Sequence, residues 1–343
     1  MVDTYIFGFM VAVVIAYFTT PHVKEFAIKS GAMDTPDERK VHSKPIPRMG
    51  GLAIYIAVIA AIFFSMKMNQ QILGIILGGT VMLTVGIIDD LKQLSAKVKL
   101  TGQILAALVL VAFNIRIEWI TNPFGSMIYL DYLSIPITIL WVVAVTNTVN
   151  LIDGLDGLAA GVSSIASITI CIVALQQNLW IVALLTAIIA GSALGFLFHN
   201  FNPAKIFMGD TGSLFLGYML SAVSVMGAVK GAATIALFVP IVALGLPIMD
   251  TAFAIIRRYT NGVPIFRPDK GHLHHRLLAM GLTQKQVVLS MYLISGMLGA
   301  SAIMITEVSR FNAFLIVATI TTVAVFGAKK IGVLDIHEKN VDA

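Results

Sequence analysis

Residues 179–198 have the sequence LWIVALLTAIIAGSALGFLF, a stretch without a charged side chain. A helix needs roughly 20 predominantly apolar residues to cross the hydrocarbon core of a bilayer. The stretch therefore predicts a transmembrane helix. Ten further apolar runs of similar character lie on either side of it, at about 4–21, 50–66, 71–88, 100–115, 133–149, 158–176, 213–229, 233–256, 288–306 and 312–328.

The composition indicates the same class of protein. Apolar residues make up 58% of the 343 residues and charged residues only 12%, which is too few to cover a water-exposed surface. The single cysteine, Cys171, excludes an intrachain disulfide and a thiolate metal cage. Because no long polar stretch interrupts the apolar runs, we expect one integral membrane domain over residues 1–343. The prediction is an all-α polytopic membrane protein with about eleven transmembrane helices in a lipid bilayer.

Basic residues predict how this protein is oriented. Cytoplasmic loops of membrane proteins carry an excess of Lys and Arg. With the N-terminus outside, the inner loops hold 19 of the 23 Lys and Arg residues, and only Lys67, Arg116, Lys230 and Arg310 lie in outer loops. The sequence therefore predicts an outer N-terminus and a cytoplasmic C-terminus.

Two segments are expected to depart from straight helices. Residues 115–130 alternate around Asn122-Pro123-Phe124-Gly125, which predicts a small extracellular hairpin. The ninth apolar run contains Pro240 and Pro247, and each proline removes a helical hydrogen bond and crowds the preceding turn. We expect this helix to bend and to open a lipid-facing groove toward the cytoplasmic loops.

Aspartates gather at the predicted cytoplasmic ends of the spans. An aspartate at mid-membrane costs roughly 2.5 to 3.5 kcal/mol, so this placement is informative. Helix capping would explain a single aspartate, but adjacent carboxylates repel each other unless they share a cation. The pair Asp89-Asp90 is followed by Lys92, Lys97 and Lys99, so a divalent cation and a phosphate would both find partners there. The six aspartates are Asp89, Asp90, Asp153, Asp156, Asp210 and Asp250.

Three more segments add polar groups at this face. Asn150, Asp153 and Asp156 follow one another at a spacing of three and offer oxygen ligands or acceptors for a base. The turn 209–213, Gly-Asp-Thr-Gly-Ser, is expected to present free backbone N–H groups to a phosphate at a helix N-terminus. The histidines at 272, 274 and 275 are compatible with a transition-metal site, but the neighbouring Arg276 favours phosphate binding. Together these loops suit Mg²⁺-dependent phosphoryl transfer.

These motifs resemble those of the polyprenyl-phosphate N-acetylhexosamine-1-phosphate transferases. The resemblance extends from Lys40 to about Arg276. It implies an enzyme of the bacterial plasma membrane, with a cytoplasmic active site, that transfers GlcNAc-1-phosphate from UDP-GlcNAc to undecaprenyl phosphate and releases UMP. Mg²⁺ is the implied cofactor, with Mn²⁺ as a substitute; a homodimer is allowed, and no nucleic acid partner is expected. The five motifs are Pro45 to Gly51, Asp89-Asp90, Asn147 to Gly157, Phe207 to Ser213 and His272 to Arg276.

The resemblance also implies roles for single residues. Asp210 corresponds to a magnesium ligand and Asn150 to a second candidate ligand. Asp89 and Asp90 correspond to an essential pair, one of which deprotonates or orients the lipid phosphate. The remaining implied catalytic or substrate-binding residues are Asp153 and Asp156 on the nucleotide side, Asn147 in the same motif, Phe207 packed on uracil, His272, His274, His275 and Arg276 on the diphosphate, and Lys44 and Lys99 on phosphates.

The histidine motif favours one branch of the family. His-Leu-His-His-Arg resembles the GlcNAc-1-phosphate branch, which initiates polymers such as wall teichoic acid, whereas the phospho-MurNAc-pentapeptide transferases usually have three consecutive histidines. Gln93 stands where the GlcNAc branch often has a third carboxylate, which puts an acidic contact there in doubt.

Three different classes of membrane protein also use acidic residues. An aromatic prenyltransferase would leave the turn 209–213 and the histidine loop without a purpose. A CDP-alcohol phosphotransferase would carry a long Asp-Gly-x-x-Ala-Arg signature, which this sequence lacks. A transporter would place ionisable groups near mid-membrane, whereas here they cluster at one face.

Overall fold

The computed structural model describes residues 2–36, 45–120, 127–230, 238–260, 262 and 271–333. The architecture is all-α, with two minimal strand pairs. The helices are α1 (Val2–Ser30), α2 (Gly51–Ser65), α3 (Gln70–Lys92), α4 (Ala96–Ala112), α5 (Ser134–Ile152), α6 (Leu158–Gln176), α7 (Trp180–Asn200), α8 (Gly209–Lys230), α9 (Phe238–Ala243), α10 (Gly245–Thr260), α11 (Leu273–Ala279), α12 (Gln284–Ile305) and α13 (Arg310–Lys330).

The helices confirm the predicted class of fold. Within the described ranges, eight helices are long and apolar enough to cross a membrane, namely α1, α3, α5, α6, α7, α8, α12 and α13. The shorter helices α2 and α4 coincide with two further predicted spans. The predicted span 233–256 lies partly on residues 231–237, outside the described residues, and partly on α9 and α10. The protein is therefore an all-α polytopic membrane protein.

Helix α8 is the centre of the bundle. It packs against α3, α5, α2 and α7, and its residues 211–228 are all buried. Gly86 allows α3 to approach it closely, because a Cβ at Gly86 would lie 2.4 Å from the Cα atom of Thr211. This approach brings the end of α3, with Asp89 and Asp90, against the first turn of α8.

The ninth apolar run is interrupted as its prolines predict. Helix α9 ends at Ala243, and α10 begins at Gly245 after a turn at Leu244. Pro247 has no N–H to donate to the Ala243 carbonyl group, and its ring crowds that group. Leu244 is bonded to both pieces, since its N–H donates to the Pro240 oxygen at 2.8 Å and its oxygen accepts from the Ile248 N–H at 3.0 Å.

Two short antiparallel strand pairs complete the fold. Strands β3 (Trp119–Ile120) and β4 (Ile128–Tyr129) pair within the predicted hairpin, while its tip at 121–126 lies outside the described residues. Strands β1 (Met33–Asp34) and β2 (Ile46–Pro47) pair next to the end of α1. The β1–β2 pair places Asp34, and Arg48 directly after β2, near the loops in which the candidate active site lies.

Candidate active site

Four of the predicted polar segments surround one cavity. Its volume is about 380 Å³, and it opens between the ends of α3, α5, α7 and α8. This convergence places residues that are far apart in the sequence around a common space. The lining residues are Asp34, Arg48, Asp90, Asn150, Asp153, Gly154, Leu155, Asp156, Asn200, Phe207, Gly209, Asp210, His275 and Gln284.

Asp90 binds the first turn of α8. Its two carboxylate oxygens accept from the backbone N–H groups of Asp210 and Thr211, both at 3.1 Å, and from the Thr211 hydroxyl at 2.6 Å. The sequence predicts that these N–H groups are free for a phosphate, and that prediction is wrong for these two. Because a carboxylate on α3 occupies them, Asp90 fixes the position of Asp210.

Asp89 lies on the other side of the acidic cluster. Its Oδ1 accepts from the Leu94 N–H at 2.8 Å and lies 3.5 Å from the Lys99 Nζ. The same ammonium group donates to Asp210 Oδ2 at 2.8 Å. Lys99 therefore joins Asp89 to Asp210 and offsets part of their mutual repulsion. To make its predicted contact with a phosphate, Lys99 would have to move away from these carboxylates or contact the phosphate and the carboxylates together.

The acidic cluster has the donor set of a divalent cation site. One carboxylate oxygen from each of Asp89, Asp90 and Asp210 lies within 4.8 Å of the others, and carboxylate oxygens are the ligands that Mg²⁺ prefers. Asn150 adjoins the cluster, but its Nδ2 donates to Asp210 Oδ1 at 3.2 Å and to Ser213 Oγ at 2.8 Å. A metal shared by Asn150 and Asp210 would need the amide rotated by half a turn.

The second pair of acids lies across the cavity. Asp156 Oδ2 accepts from the Ala204 N–H and from Asn202 Nδ2, both at 3.0 Å, so it holds the segment that leads to Phe207. Asp153 also lines the cavity. Burial, together with the nearby carboxylates of Asp210, Asp90 and Asp156, raises the pKa of Asp153 well above its usual range. Asp153 therefore binds a proton more readily than an exposed aspartate does.

The histidines face different partners. The Nδ1 atom of His272 lies 2.8 Å from Asp250 Oδ2, and Asp250 Oδ1 accepts from the Leu273 N–H at 2.8 Å. His274 packs beneath Gly154, and burial lowers its pKa to about 3, so it is neutral at neutral pH. His275 lines the cavity. The rings of His272 and His274 are stacked, with centroids 5.8 Å apart, and those of His274 and His275 are tilted, with centroids 4.2 Å apart. Among the described residues, however, the group that could hold a metal ion is the acidic cluster and not these histidines.

The remaining predicted residues have mixed positions. Phe207 lines the cavity, whereas Asn147 forms a reciprocal amide pair with Gln103, at 2.7 and 3.2 Å, between α5 and α4. Arg276 lies on α11, and it is not among the described residues that line the cavity. Lys44 lies outside the described residues, as do the other residues at 40–44, where the resemblance begins.

Several residues at the site are not predicted from the sequence. Arg48, Asp34, Asn200 and Gln284 line the cavity but have no predicted role. Arg48 lies within the motif Pro45 to Gly51, and its place in that motif is the sequence feature that could have identified it as a site residue. Asp250 is predicted only as an acid at a helix end, although it holds the histidine segment. The contacts of these residues depend on distant segments, so spacing along the chain does not reveal them.

Comparisons with known proteins identify relatives of this chain. Residues 72–228 match the family described as Glycosyl transferase family 4. The chain is 44% identical over 312 residues, covering 90% of this chain and 87% of the relative, to a protein of Bacillus subtilis (strain 168) named probable undecaprenyl-phosphate N-acetylglucosaminyl 1-phosphate transferase.

More distant relatives cover a similar share of the chain. A decaprenyl-phosphate N-acetylglucosaminephosphotransferase of Mycolicibacterium smegmatis (strain ATCC 700084 / mc(2)155) is 37% identical, over 85% of this chain and 80% of the relative. A phospho-N-acetylmuramoyl-pentapeptide-transferase of Halalkalibacterium halodurans is 31% identical, over 89% of this chain and 97% of the relative. Of these three relatives, the two whose names specify N-acetylglucosamine are the more similar to this chain.

Proposed function

The chain belongs to the polyprenyl-phosphate N-acetylhexosamine-1-phosphate transferases of glycosyl transferase family 4, and from that premise we propose that it transfers GlcNAc-1-phosphate from UDP-GlcNAc to undecaprenyl phosphate. The observation that carries the reaction type is the cluster of Asp89, Asp90 and Asp210 beside a cavity. The 44% identity to the Bacillus subtilis protein supports the sugar and the lipid.

In the proposed reaction one phosphoanhydride replaces another. An oxygen of the lipid phosphate attacks the β-phosphorus of UDP-GlcNAc, and the bond from that phosphorus to the bridging oxygen breaks. The products are undecaprenyl-diphosphate-GlcNAc and UMP, which keeps the bridging oxygen. Because the number of phosphoanhydride bonds is unchanged, we expect the step to be readily reversible.

Mg²⁺ fits the acidic cluster, and Asp210 with Asp89 would hold it. When bound, the ion would neutralise charge on the diphosphate. Asp90 keeps Asp210 in place through the first turn of α8. Lys99 places a positive charge between Asp89 and Asp210, and His275 and Phe207 line the cavity in which the donor would lie. The chain's own contribution is therefore mainly positioning and charge compensation.

We place the cavity at the cytoplasmic face of a bacterial plasma membrane. The excess of Lys and Arg in the loops on this side supports that orientation. A water-soluble nucleotide sugar would then reach the site from the cytoplasm, while the lipid would reach it from the bilayer beside α10. The product would begin a cell-envelope polymer, for which wall teichoic acid is our first choice.

The test is incubation of purified protein with radiolabelled UDP-GlcNAc, undecaprenyl phosphate and Mg²⁺, followed by extraction of lipids. We expect labelled lipid that depends on Mg²⁺ and disappears when excess UMP is added, because UMP reverses the reaction. A parallel reaction contains UDP-MurNAc-pentapeptide. Labelled lipid from that donor alone would move the protein to the other branch of the family, and label from neither donor would contradict the proposed function.

A further inference from the structure

Arg48 lies in the cavity wall on a firmly held backbone. Its own N–H donates to the Ala32 oxygen at 3.0 Å, beside the β1–β2 pair. On either side of it, the Pro47 oxygen accepts from the Phe207 N–H at 2.8 Å, and the Gly50 N–H donates to the Phe207 oxygen at 2.9 Å. These bonds fix the backbone from which the Arg48 side chain extends, next to Phe207.

The guanidinium group uses few of its donors within the described residues. Arg48 Nη2 donates to the Asp90 backbone oxygen at 2.5 Å. Its nearest carboxylate contacts are Nη1 to Asp34 at 3.9 Å and Nε to Asp90 at 3.8 Å, both longer than hydrogen bonds. The Nε atom is buried and has no hydrogen-bond partner among the residues that the structure describes. A buried donor without a partner is unfavourable, so a ligand oxygen that accepts from this guanidinium group would be bound more tightly.

Asp90 does not need Arg48 as a partner. Both of its carboxylate oxygens already accept hydrogen bonds from Asp210 and Thr211. The cavity is also lined by five aspartates, Asp34, Asp90, Asp153, Asp156 and Asp210, and those that are ionised would repel an anionic substrate. An arginine with spare donors at this position would counter that repulsion.

We propose that Arg48 binds a phosphate group of a substrate. The planar fork of a guanidinium group matches two phosphate oxygens, and charge-assisted bonds of this kind are about twice as strong as neutral ones. The inference rests on the proposed function, because it takes the ligand to be a phosphoryl oxyanion. Two sources carry that group, namely the diphosphate of the nucleotide sugar and the monophosphate of the lipid acceptor.

The experiment compares Arg48→Gln and Arg48→Lys with a matched control, Arg116→Gln. Arg116 is paired with Glu118 near the outer hairpin, so its substitution should leave activity unchanged. The Michaelis constants for UDP-GlcNAc and for undecaprenyl phosphate are measured separately, and UMP binding is measured by calorimetry. We expect Arg48→Gln to raise one Michaelis constant at least tenfold, and Arg48→Lys to raise the same constant less, because the charge remains and the fork is lost.

The two sources give different results. Weaker UMP binding with a raised constant for UDP-GlcNAc assigns Arg48 to the donor, and a raised constant for undecaprenyl phosphate alone assigns it to the acceptor. Unchanged constants for both substrates in Arg48→Gln, with lower turnover or thermal stability only, would make Arg48 a clamp on Asp90 and overturn the proposal. Failure of the proposed function would appear in the wild-type protein itself, as absence of lipid product.

Discussion

Asp89 and Asp90 are adjacent in the sequence and Asp153 and Asp156 lie three residues apart, yet in both pairs the two acids have different partners in the structure. In each pair one acid holds a neighbouring segment. Asp90 accepts three hydrogen bonds from the start of α8, and Asp156 accepts the Ala204 N–H and the Asn202 amide. The other acid is less engaged, since Asp89 uses only Oδ1 for its hydrogen bond to Leu94.

The difference between the two acids of each pair shows that a carboxylate in an active site is not necessarily a reacting group. An acid that accepts several hydrogen bonds from another segment keeps that segment in place, whereas an acid with fewer such bonds can bind an ion, a proton or a substrate. The two kinds should respond differently to substitution by asparagine, which keeps the shape and removes the charge. Activity and stability must therefore be measured separately.

The largest loss of turnover is expected when Asp210 is substituted, because its backbone and its carboxylate both make contacts in the site. Asp90 fixes its backbone, and Lys99 and Asn150 contact its carboxylate. Asp210→Asn should lower turnover by about a hundredfold, because loss of a preorganised electrostatic contact has effects of that order. The measurement is the initial rate of labelled lipid formation at saturating Mg²⁺.

A matched control for Asp210 is Asp131→Asn, near the outer hairpin, where the carboxylate is exposed. We expect that variant to keep wild-type turnover. Turnover of Asp210→Asn above about a tenth of the wild-type value, which corresponds to less than 1.4 kcal/mol of barrier, would exclude a role for Asp210 in holding the metal.

The next largest loss of turnover is expected for Asp89 and Asp90, and the thermal midpoint should distinguish the two residues. Both Asp89→Asn and Asp90→Asn should lose at least tenfold in turnover and still bind UDP-GlcNAc. Only Asp90→Asn should also lower the thermal midpoint, because its amide group cannot accept from donors on both sides. The expected loss is about 1 to 3 kcal/mol of stability. Equal midpoints for the two variants would contradict this division of work.

Asp250 is a third acid that positions other residues, and its substitution is expected to have a smaller effect than those of Asp89, Asp90 and Asp210. It is buried and binds both the His272 ring and the Leu273 N–H. Asp250→Asn should raise the Michaelis constant for UDP-GlcNAc severalfold and leave that for undecaprenyl phosphate unchanged, because the histidine segment would shift. Thr283→Ala, which removes the cap of the next helix, is the control and should change neither constant. An unchanged constant for UDP-GlcNAc in Asp250→Asn would separate Asp250 from donor binding.

Much of the fold follows from the sequence, because membrane helices are encoded by local composition. The apolar runs, the hairpin strands Trp119–Ile120 and Ile128–Tyr129, and the interruption before Pro247 all depend on nearby residues. The convergence of the polar loops is also predictable, since each loop follows or precedes a span on the same predicted side.

The detailed contacts of the site are less predictable, because they depend on how distant helices meet. Gly86 lets α3 touch α8, and only that contact explains why Asp90 takes the N–H groups that the turn sequence predicts for phosphate. Asn147 likewise pairs with Gln103 of α4 rather than lining the cavity. Motif spacing identifies which residues gather, but it does not assign their hydrogen bonds.

Substitutions of Asp153 and Asp156 are expected to have the smallest effect on turnover. At pH 8 they are expected to shift the thermal midpoint in opposite directions. Burial near other carboxylates raises the pKa of Asp153, so ionising it in the folded protein is costly. Asp153→Asn should therefore raise the thermal midpoint at pH 8, where more of the wild-type group is ionised, and the gain should shrink as the pH falls. Asp156→Asn should lower the midpoint at both pH values, because it weakens the bonds to Ala204 and Asn202. Thermal unfolding in detergent at pH 6 and pH 8 measures both variants, and a lower midpoint for Asp153→Asn at pH 8 would show that Asp153, like Asp156, supports the fold.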